Sequence, residues 1–363
     1  MSQIIRVLII FIASTIALQA QTISGYVYDE AENLPLEGAM VYLDGTTYSA
    51  NTNSKGFFSI TTGKKLPAAL VVSFVGFKTL RVDNPFDYGK PIKVLLTEDA
   101  IQMQELVVEG KTIFSRKQML KVFREQFLGK SKAGLSCNIE NEDDIRLRFD
   151  ASTNTLYAEA AKPLRITNKR LQYNILFDLS VFEVNFSYKT LDAFNVTQSF
   201  VGGTTFFSDA SEKGAADKKR KEAYQGSPAH FIKTMAGGDW AKEKYQLYVD
   251  SFWDDHAKYF HVSDTLDIKK ISITPPPVKK SKLTIQQEWT AANNVEKKKS
   301  EKAQLRFTIL YNKELQSFIV FDKGVLYVDA DGLFWPLREL SFGGYMGTLK
   351  VGDMLPADYK PID

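Results

Sequence analysis

The sequence predicts a mainly β protein, with a β-sandwich near the N-terminal end followed by a second β-rich α+β region. The chain has 363 residues, which is more than one ordinary core accommodates. It contains 25 Phe and 16 Tyr, and aromatic side chains pack well on pleated sheets. Short alternating β-like runs separated by turn residues fill the first hundred positions. We therefore expect two folded units.

The charge balance is weak. The formal net charge is +3. Gln21 to Gly110 holds 7 Lys+Arg against 11 Asp+Glu, whereas Lys111 to Asp363 holds 38 against 32. A balance this close to neutral gives no electrostatic argument for nucleic-acid binding. We predict no nucleic-acid partner and a mildly basic second region.

The first twenty residues have the pattern of an export signal. Arg6 precedes an apolar run that continues to Leu18, and Gln19-Ala20-Gln21 ends it. The run is shorter than the ~20 apolar residues that span a bilayer. We expect residues 1–20 to be a signal peptide cut after Ala20, with Ala17 as the alternative boundary. The mature chain is then predicted to be exported without a transmembrane span, and to be periplasmic, held at the outer membrane, or secreted.

Seven short strands separated by turns are predicted between residues 22 and 96, as in a β-sandwich. Asp44-Gly45 is a strong hairpin turn because Gly tolerates positive φ. The predicted strands are Thr22–Asp29, Ala39–Leu43, Thr47–Thr52, Phe57–Ile60, Leu70–Val75, Phe77–Leu80 and Ile92–Leu96.

This part of the chain resembles the carboxypeptidase D regulatory-like domain, which occurs in carboxypeptidase tails and at the front of many TonB-dependent receptors. The resemblance covers residues 22–108, and Asn53 stands where the family often has Asp. The segments that carry it are Ile23-Ser24-Gly25-Tyr26-Val27 with Asp29, Pro35-Leu36-Glu37-Gly38-Ala39, Asp44-Gly45-Thr46, Asn53-Ser54-Lys55-Gly56-Phe57-Phe58, Ser73-Phe74-Val75-Gly76-Phe77 and Glu105-Leu106-Val107-Val108.

The resemblance implies a transthyretin-like or starch-binding-like sandwich that serves as a structural or interaction module. It implies no peptidase activity, because the zinc site of those carboxypeptidases lies on a separate domain. The aromatic residues Tyr26, Tyr28, Tyr42 and Tyr48 fit a sugar-stacking platform if they are exposed. Cross-strand packing is the commoner role of strand aromatics.

The rest of the chain is predicted to comprise a helical connector at 109–134 and an uncharacterised β-rich domain at 135–363 with lysine-rich exposed loops. Apolar residues from Phe114 to Leu128 recur at helical spacing. Strands are predicted at Ile145–Asp150, Thr155–Ala160, Leu164–Ile166, Leu171–Leu179, Phe182–Tyr188, Thr204–Phe207, Leu305–Tyr311, Phe318–Phe321 and Val325–Val328.

Segments of this second region, notably Lys218 to Lys233, resemble uncharacterised carboxypeptidase-like-regulatory proteins of Gram-negative envelopes. Within that stretch, Ser227 and His230 suggest a nucleophile and its base. Nothing around them resembles a nucleophile elbow, so we expect Ser227-Pro228 to begin a helix over 229–236 instead.

The other candidate reactive groups are isolated in the sequence. Cys137 is the one cysteine and is predicted to be a small, partly buried residue. His256 and His261 are five residues apart, unlike the four-residue spacing of helical zinc pairs. Asp329-Ala330-Asp331-Gly332 lacks the distal Glu of an EF-hand. We predict no catalytic, cofactor-binding or metal site.

The sequence therefore favours a non-enzymatic cell-envelope protein whose sandwich is a structural or protein-interaction module. The expected partner is an envelope protein or a glycan. Two alternatives remain open: a carbohydrate- or peptidoglycan-binding protein, and a hydrolase that uses Ser227 and His230.

Overall fold

The computed structural model describes residues 21–66, 68–99, 113–265, 268–276 and 305–362. Strands form 44% of the structure and helices 19%, which confirms the predicted mainly β class. The predicted signal peptide (1–20), the closing motif (105–108) and the lysine-rich stretch at 293–302 lie outside the described residues.

The N-terminal unit is a β-sandwich of two sheets, ordered β4-β1-β7 and β3-β2-β5-β6. Both sheets turn apolar side chains inward, so that Val27, Val41 and Leu96 are fully buried between them. The prediction of seven strands is confirmed. Their bounds are β1 Gln21–Asp29, β2 Met40–Leu43, β3 Ser49–Asn51, β4 Phe57–Thr62, β5 Leu70–Ser73, β6 Leu80–Val82 and β7 Ile92–Leu96.

The turn before β4 shows why Asn can stand where the related domains have Asp. The Asn53 side-chain oxygen accepts hydrogen bonds from the backbone N–H groups of Lys55 and Phe57, both at 3.0 Å. An Asp carboxylate would accept the same two bonds. Gly56 closes the turn at φ 71, and a Cβ there would meet the Val27 carbonyl oxygen at 2.4 Å.

The second region begins with a six-stranded antiparallel sheet, ordered β8-β11-β12-β10-β9, with β13 paired to β12. The β12–β13 hairpin is its longest element, with 14 residues in each strand. The bounds are β8 Cys137–Ile139, β9 Ile145–Asp150, β10 Thr155–Ala160, β11 Leu164–Asn168, β12 Tyr173–Phe186 and β13 Val196–Asp209.

Helix α1 (Arg116–Phe127) packs on this sheet and completes its core. Ser115 and Gln118 form a capping box, which starts the helix two residues after the predicted position. The Phe123 ring lies 4.7 Å from Phe182, and the Phe127 ring lies 5.0 Å from Phe177. The predicted amphipathic helix is confirmed, and its apolar face belongs to the core of the six-stranded sheet.

A second core in this region lies between a five-stranded sheet, β15-β14-β18-β19-β22, and a four-stranded sheet, β16-β17-β20-β21. Helix α3 (Pro228–Gly237) supplies the buried side chains of Phe231 and Met235 to it. The strand bounds are β14 Tyr245–Val249, β15 Phe252–Asp254, β16 Phe260–Thr265, β17 Ile268–Ile273, β18 Leu305–Tyr311, β19 Leu315–Phe321, β20 Val325–Val328, β21 Phe334–Trp335 and β22 Leu340–Gly343. The remaining helices are α2 Asp217–Tyr224 and α4 Gly344–Thr348.

The sandwich docks on the second region through the turn between β2 and β3. Gly45 N–H donates to the Thr205 carbonyl at 2.7 Å, and Phe207 N–H donates to the Thr46 carbonyl at 3.0 Å. The Asp44 carboxylate accepts from the Thr205 N–H at 2.8 Å. These bonds extend the long β12–β13 hairpin onto the sandwich, and we call this contact the docking interface.

A C-terminal segment strengthens the docking interface. Asp358 accepts hydrogen bonds from the Thr47 N–H at 3.1 Å and from its hydroxyl at 2.5 Å. Ala357 N–H donates to the Gly45 carbonyl at 2.8 Å. Residues near both ends of the described chain therefore hold the two parts together.

Candidate functional site

The Ser227 and His230 pair is part of a helix N-terminus. The Ser227 hydroxyl oxygen accepts the backbone N–H of His230 at 3.2 Å, and Pro228 occupies the first turn of α3. This is N-terminal capping, in which the hydroxyl is bonded to the backbone and not to the imidazole. The predicted helix is confirmed, extended by one residue at each end.

The His230 imidazole is also held by structural bonds. Its Nδ1 accepts the Gly226 backbone N–H at 3.1 Å, and its Nε2 lies 3.0 Å from a carboxylate oxygen of Glu243. Because a backbone N–H can only donate, Nδ1 carries no proton and Nε2–H donates to Glu243. Burial lowers the pKa of His230, and the Glu243 contact opposes that shift. The neutral ring ties the start of α3 to Glu243.

The other two histidines lie on separate elements. His256 stacks on Trp240 with ring centroids 4.6 Å apart, and its Nδ1 lies 3.5 Å from the Asp255 carboxylate. His261 is on β16, where its Nε2 lies 2.9 Å from the Thr274 hydroxyl. Across the described ranges, the structure contains no group of three or more His, Cys, Asp or Glu residues arranged to hold a metal ion.

The Asp-rich turn after β20 is closed by its own backbone. An Asp329 carboxylate oxygen accepts the N–H groups of Asp331 at 2.7 Å and Leu333 at 3.0 Å. Burial is the main cause that raises the pKa of Asp329 to about 6. Asp331 forms an ion pair with Lys64 of the sandwich at 2.6 Å. The turn thus makes a contact with the sandwich that is separate from the docking interface.

Cys137 is partly buried, as predicted. Its thiol lies 3.3 Å from the Ala133 carbonyl oxygen, and burial raises its pKa to about 12. The thiolate is therefore a minor species at neutral pH, which disfavours nucleophilic chemistry.

The four tyrosines of the sandwich have separate environments. Tyr42 is fully buried and packs on Phe206 of the second region, and Tyr48 packs against the sandwich core. Tyr26 and Tyr28 lie on the outer surface of the β4-β1-β7 sheet, where their rings stack at 6.4 Å with an interplanar angle of 27°. Phe57 lies 5.2 Å from Tyr26. We call Tyr26, Tyr28 and Phe57 the aromatic sheet face.

A second candidate surface is a cleft of about 500 Å³ in the second region. Its lining includes the apolar or aromatic side chains of Ala133, Ala223, Tyr345 and Leu349, together with four basic side chains. We call it the basic cleft. Its polar and charged lining residues are Lys130, Ser131, Lys132, Arg170, Lys219, Glu222, Thr348 and Asp353.

The cations of the basic cleft differ in their partners. Lys130 pairs with Glu125 at 2.8 Å, and Arg170 pairs with Glu222 at 2.9 Å. Lys132 and Lys219 form no ion pair with any residue that the structure describes. Two positive charges of the cleft are therefore uncompensated.

The Asp353 carboxylate in the cleft lining is already hydrogen-bonded within the protein. It accepts the Ser131 hydroxyl at 2.6 Å and the Lys350 N–H at 3.2 Å. Burial raises its pKa, and the Ser131 bond opposes that shift. Its main effect is to hold the loop after α1 against the 3₁₀ turn at Val351–Asp353.

The sequence does not indicate the basic cleft, because its lining comes from segments far apart in the chain. The four residues of the basic run Lys218-Lys219-Arg220-Lys221 have different roles. Arg220 is buried and binds the Leu171 and Gln172 carbonyls, Lys221 binds the Ile362 carbonyl, and Lys219 lines the cleft.

Residues 23–108 match the CarboxypepD_reg-like domain. The match confirms the domain resemblance and covers less than a third of the chain. None of the curated proteins compared with the chain matches it.

The CarboxypepD_reg-like domain is a β-sandwich module, and the docking interface joins it to the six-stranded sheet. Among the described residues, no helix has both the length and the apolar character needed to cross a membrane.

Proposed function

We propose that the chain is a non-enzymatic, exported cell-envelope protein whose CarboxypepD_reg-like domain is a protein-interaction module. The observation that carries this proposal is the way in which the domain is mounted. Its β2–β3 turn is used by the docking interface, whereas the aromatic sheet face lies on the opposite sheet of the sandwich. Tyr26 is 37% exposed. One sheet of the domain is thus held by the docking interface, and the other sheet exposes an aromatic surface.

The non-catalytic part of the proposal is supported by the roles of Ser227 and His230. The Ser227 hydroxyl caps α3, and His230 Nδ1 accepts a backbone N–H. The imidazole is therefore not positioned to take the proton from the Ser227 hydroxyl. A hydrolase mechanism would need both groups to leave these bonds.

Export is supported by the sequence pattern of residues 1–20. Its test is the N-terminal sequence of the protein isolated from its host. A mature terminus at Gln21, or at Leu18 for the alternative cut, is expected. An uncleaved chain, still carrying residues 1–20 and found in the cytoplasm, would contradict export.

The interaction role is tested with a photoreactive amino acid at Phe57 in intact cells of the host, followed by mass spectrometry of the captured material. The matched control places the same group at Phe194, which is 97% exposed on the second region. One envelope protein captured through position 57 and not through 194 would support the proposal. Equal capture at both positions would contradict it.

A second candidate function, carbohydrate binding by the same face, is favoured by the stacked Tyr26 and Tyr28 rings. Sugar rings pack well on exposed aromatic faces. Binding on a glycan array that disappears in Tyr26→Ala, but persists in the fully buried control Tyr42→Phe, would favour the glycan over a protein partner.

A further inference from the structure

The basic cleft combines features that the proposed function does not use. It is concave, its volume of about 500 Å³ is within the ordinary range for small-molecule sites, and its lining combines apolar and cationic side chains. Neither Lys132 nor Lys219 has an ion-pair partner among the described residues. Cations left unpaired around a concave surface attract an anion, because their fields add inside it.

Side chains that line the basic cleft can also donate hydrogen bonds to an oxyanion. Lys132 and Lys219 each offer an ammonium group, and the Thr348 and Tyr345 hydroxyls lie in the same lining. The half-buried Arg170 is bonded to Glu222 through one terminal nitrogen, at 2.9 Å. Its planar guanidinium has five N–H donors, so other donors remain for an oxyanion.

Hydrogen bonds between three chain segments hold the backbone around the cleft in place. Ser131 is bonded to Asp353, and its oxygen also accepts the Gly134 N–H at 2.9 Å. The buried Asn168 side chain donates to the Gly352 carbonyl at 2.8 Å. These contacts join the loop after α1, the β11–β12 turn and the segment after α4.

We infer that the basic cleft binds a small organic oxyanion, a phosphate monoester or a carboxylate on a sugar-sized body. The charged group of the ligand would contact Lys132 and Lys219, and the remainder of the ligand would pack on Tyr345 and Leu349. This site is separate from the aromatic sheet face, so the inference does not depend on the proposed function.

The test is isothermal titration of the purified full-length chain with glucose 6-phosphate, inorganic phosphate, glucuronate and glucose. We expect saturable binding of an anionic probe, weakening with added salt because ionic screening reduces charge attraction, and no binding of glucose. Preference for the two phosphates over glucuronate would identify a phosphate ligand, and the reverse a carboxylate.

Charge variants distinguish the cleft from diffuse attraction to a basic surface. Lys219→Gln should weaken binding about tenfold, as expected for one lost charged contact. The matched control Lys218→Gln removes an exposed charge from the same helix outside the cleft, and should leave the affinity unchanged. Circular dichroism and thermal unfolding establish that both variants are folded.

Glu222→Gln should change the affinity in the opposite direction. It removes the carboxylate that neutralises Arg170, so the anion should bind about two- to fivefold more tightly. A purely structural role of Glu222 would not produce tighter binding. Equal losses in the Lys218 and Lys219 variants, binding of glucose, or no saturable binding of either class of anion would overturn the inference.

Discussion

At the scale of single residues, two titratable groups with shifted pKa values, His230 and Asp329, serve the fold. His230 is neutral because it is buried, and it orients the start of a helix through Glu243. Asp329 organises a turn and approaches neutrality at mildly acid pH. Perturbed pKa values are often signs of catalysis, but here the hydrogen-bond partners identify structural roles.

Asp329 provides a prediction about stability and pH. Its pKa is raised from an ordinary 3.8 to about 6 by burial, so the folded state binds the proton more tightly than the unfolded state. The stability that this protonation gives is present below about pH 4 and is lost as the pH rises through 6. Asp329→Asn keeps a side-chain oxygen for the Asp331 and Leu333 N–H groups and removes the titration.

The measurement is urea unfolding of both chains at several pH values. The difference in unfolding free energy between Asp329→Asn and the parent should change by about 2 kcal/mol between pH 4 and 7, in favour of the variant at the higher pH. The charged neighbours Asp331, Lys64 and Lys233 are present in both chains, so their contributions largely cancel. A difference that is constant across this range would contradict the assignment.

The single-residue predictions that succeeded depend on local chemistry. Ser227-Pro228 predicts a helix start because both residues act on their own backbone. The Glu243 partner of His230 is 13 residues away and approaches it only in the folded chain. The sequence therefore predicts the Ser227 cap of α3, but it does not predict the contact between His230 and Glu243.

At the scale of elements, strands β14 to β17 were not predicted from the sequence, and β12 was divided into two strands. The sequence predicts two strands in this part of the chain, Leu171–Leu179 and Phe182–Tyr188. The structure has one strand, Tyr173–Phe186, whose pairing with β13 shifts register between Leu179 and Val181. A β-bulge restores the inward direction of the apolar side chains, which makes a break unnecessary.

Helix α2 was not predicted, because lysines dominate its sequence and its apolar face is short. Its inward residue is Arg220, which is 4% exposed and lies over the Tyr173 ring at 3.7 Å. Arg220 donates to the carbonyls of Leu171 at 2.8 Å and Gln172 at 2.9 Å, and pairs with Asp209 at 2.7 Å. One guanidinium thus anchors the helix to the start of β12.

Replacement of Arg220 should therefore lower the free energy of unfolding. Arg220→Ala leaves the Leu171 carbonyl without its donor, takes one of two donors from the Gln172 carbonyl and removes the contact with Tyr173, so we expect a loss of about 2–4 kcal/mol in unfolding free energy. Lys218→Ala, on the exposed side of the same helix, should change it by less than about 0.5 kcal/mol. Equal losses measured by chemical denaturation would refute the anchoring role.

At the scale of the whole molecule, the structure is a sandwich docked on a second region with two cores of its own. The sandwich could be predicted because its signals, turns and alternating strands, are local. The docking interface could not, since Asp358 and Thr47 are 311 residues apart in the sequence. The basic cleft combines residues from positions 130 to 353 for the same reason.

The docking interface predicts a local change in hydrogen exchange. Asp358→Ala removes the acceptor of the Thr47 N–H, so this amide should exchange faster. The amides of β1, such as that of Val27, whose bonds lie within the sandwich, should keep their protection. Unchanged exchange at Thr47 in the variant would show that the contact with Asp358 does not hold the interface.

The position of Asp358 in the chain also sets an order of events during biosynthesis. The sandwich is synthesised, and can fold, long before the segment that fastens its Thr47 turn exists. Until that segment arrives, the polar groups of the turn are open to water and to other molecules in the cell. A chain synthesised only as far as the sandwich would thus expose the Thr47 N–H and hydroxyl, which only the late-synthesised Asp358 covers.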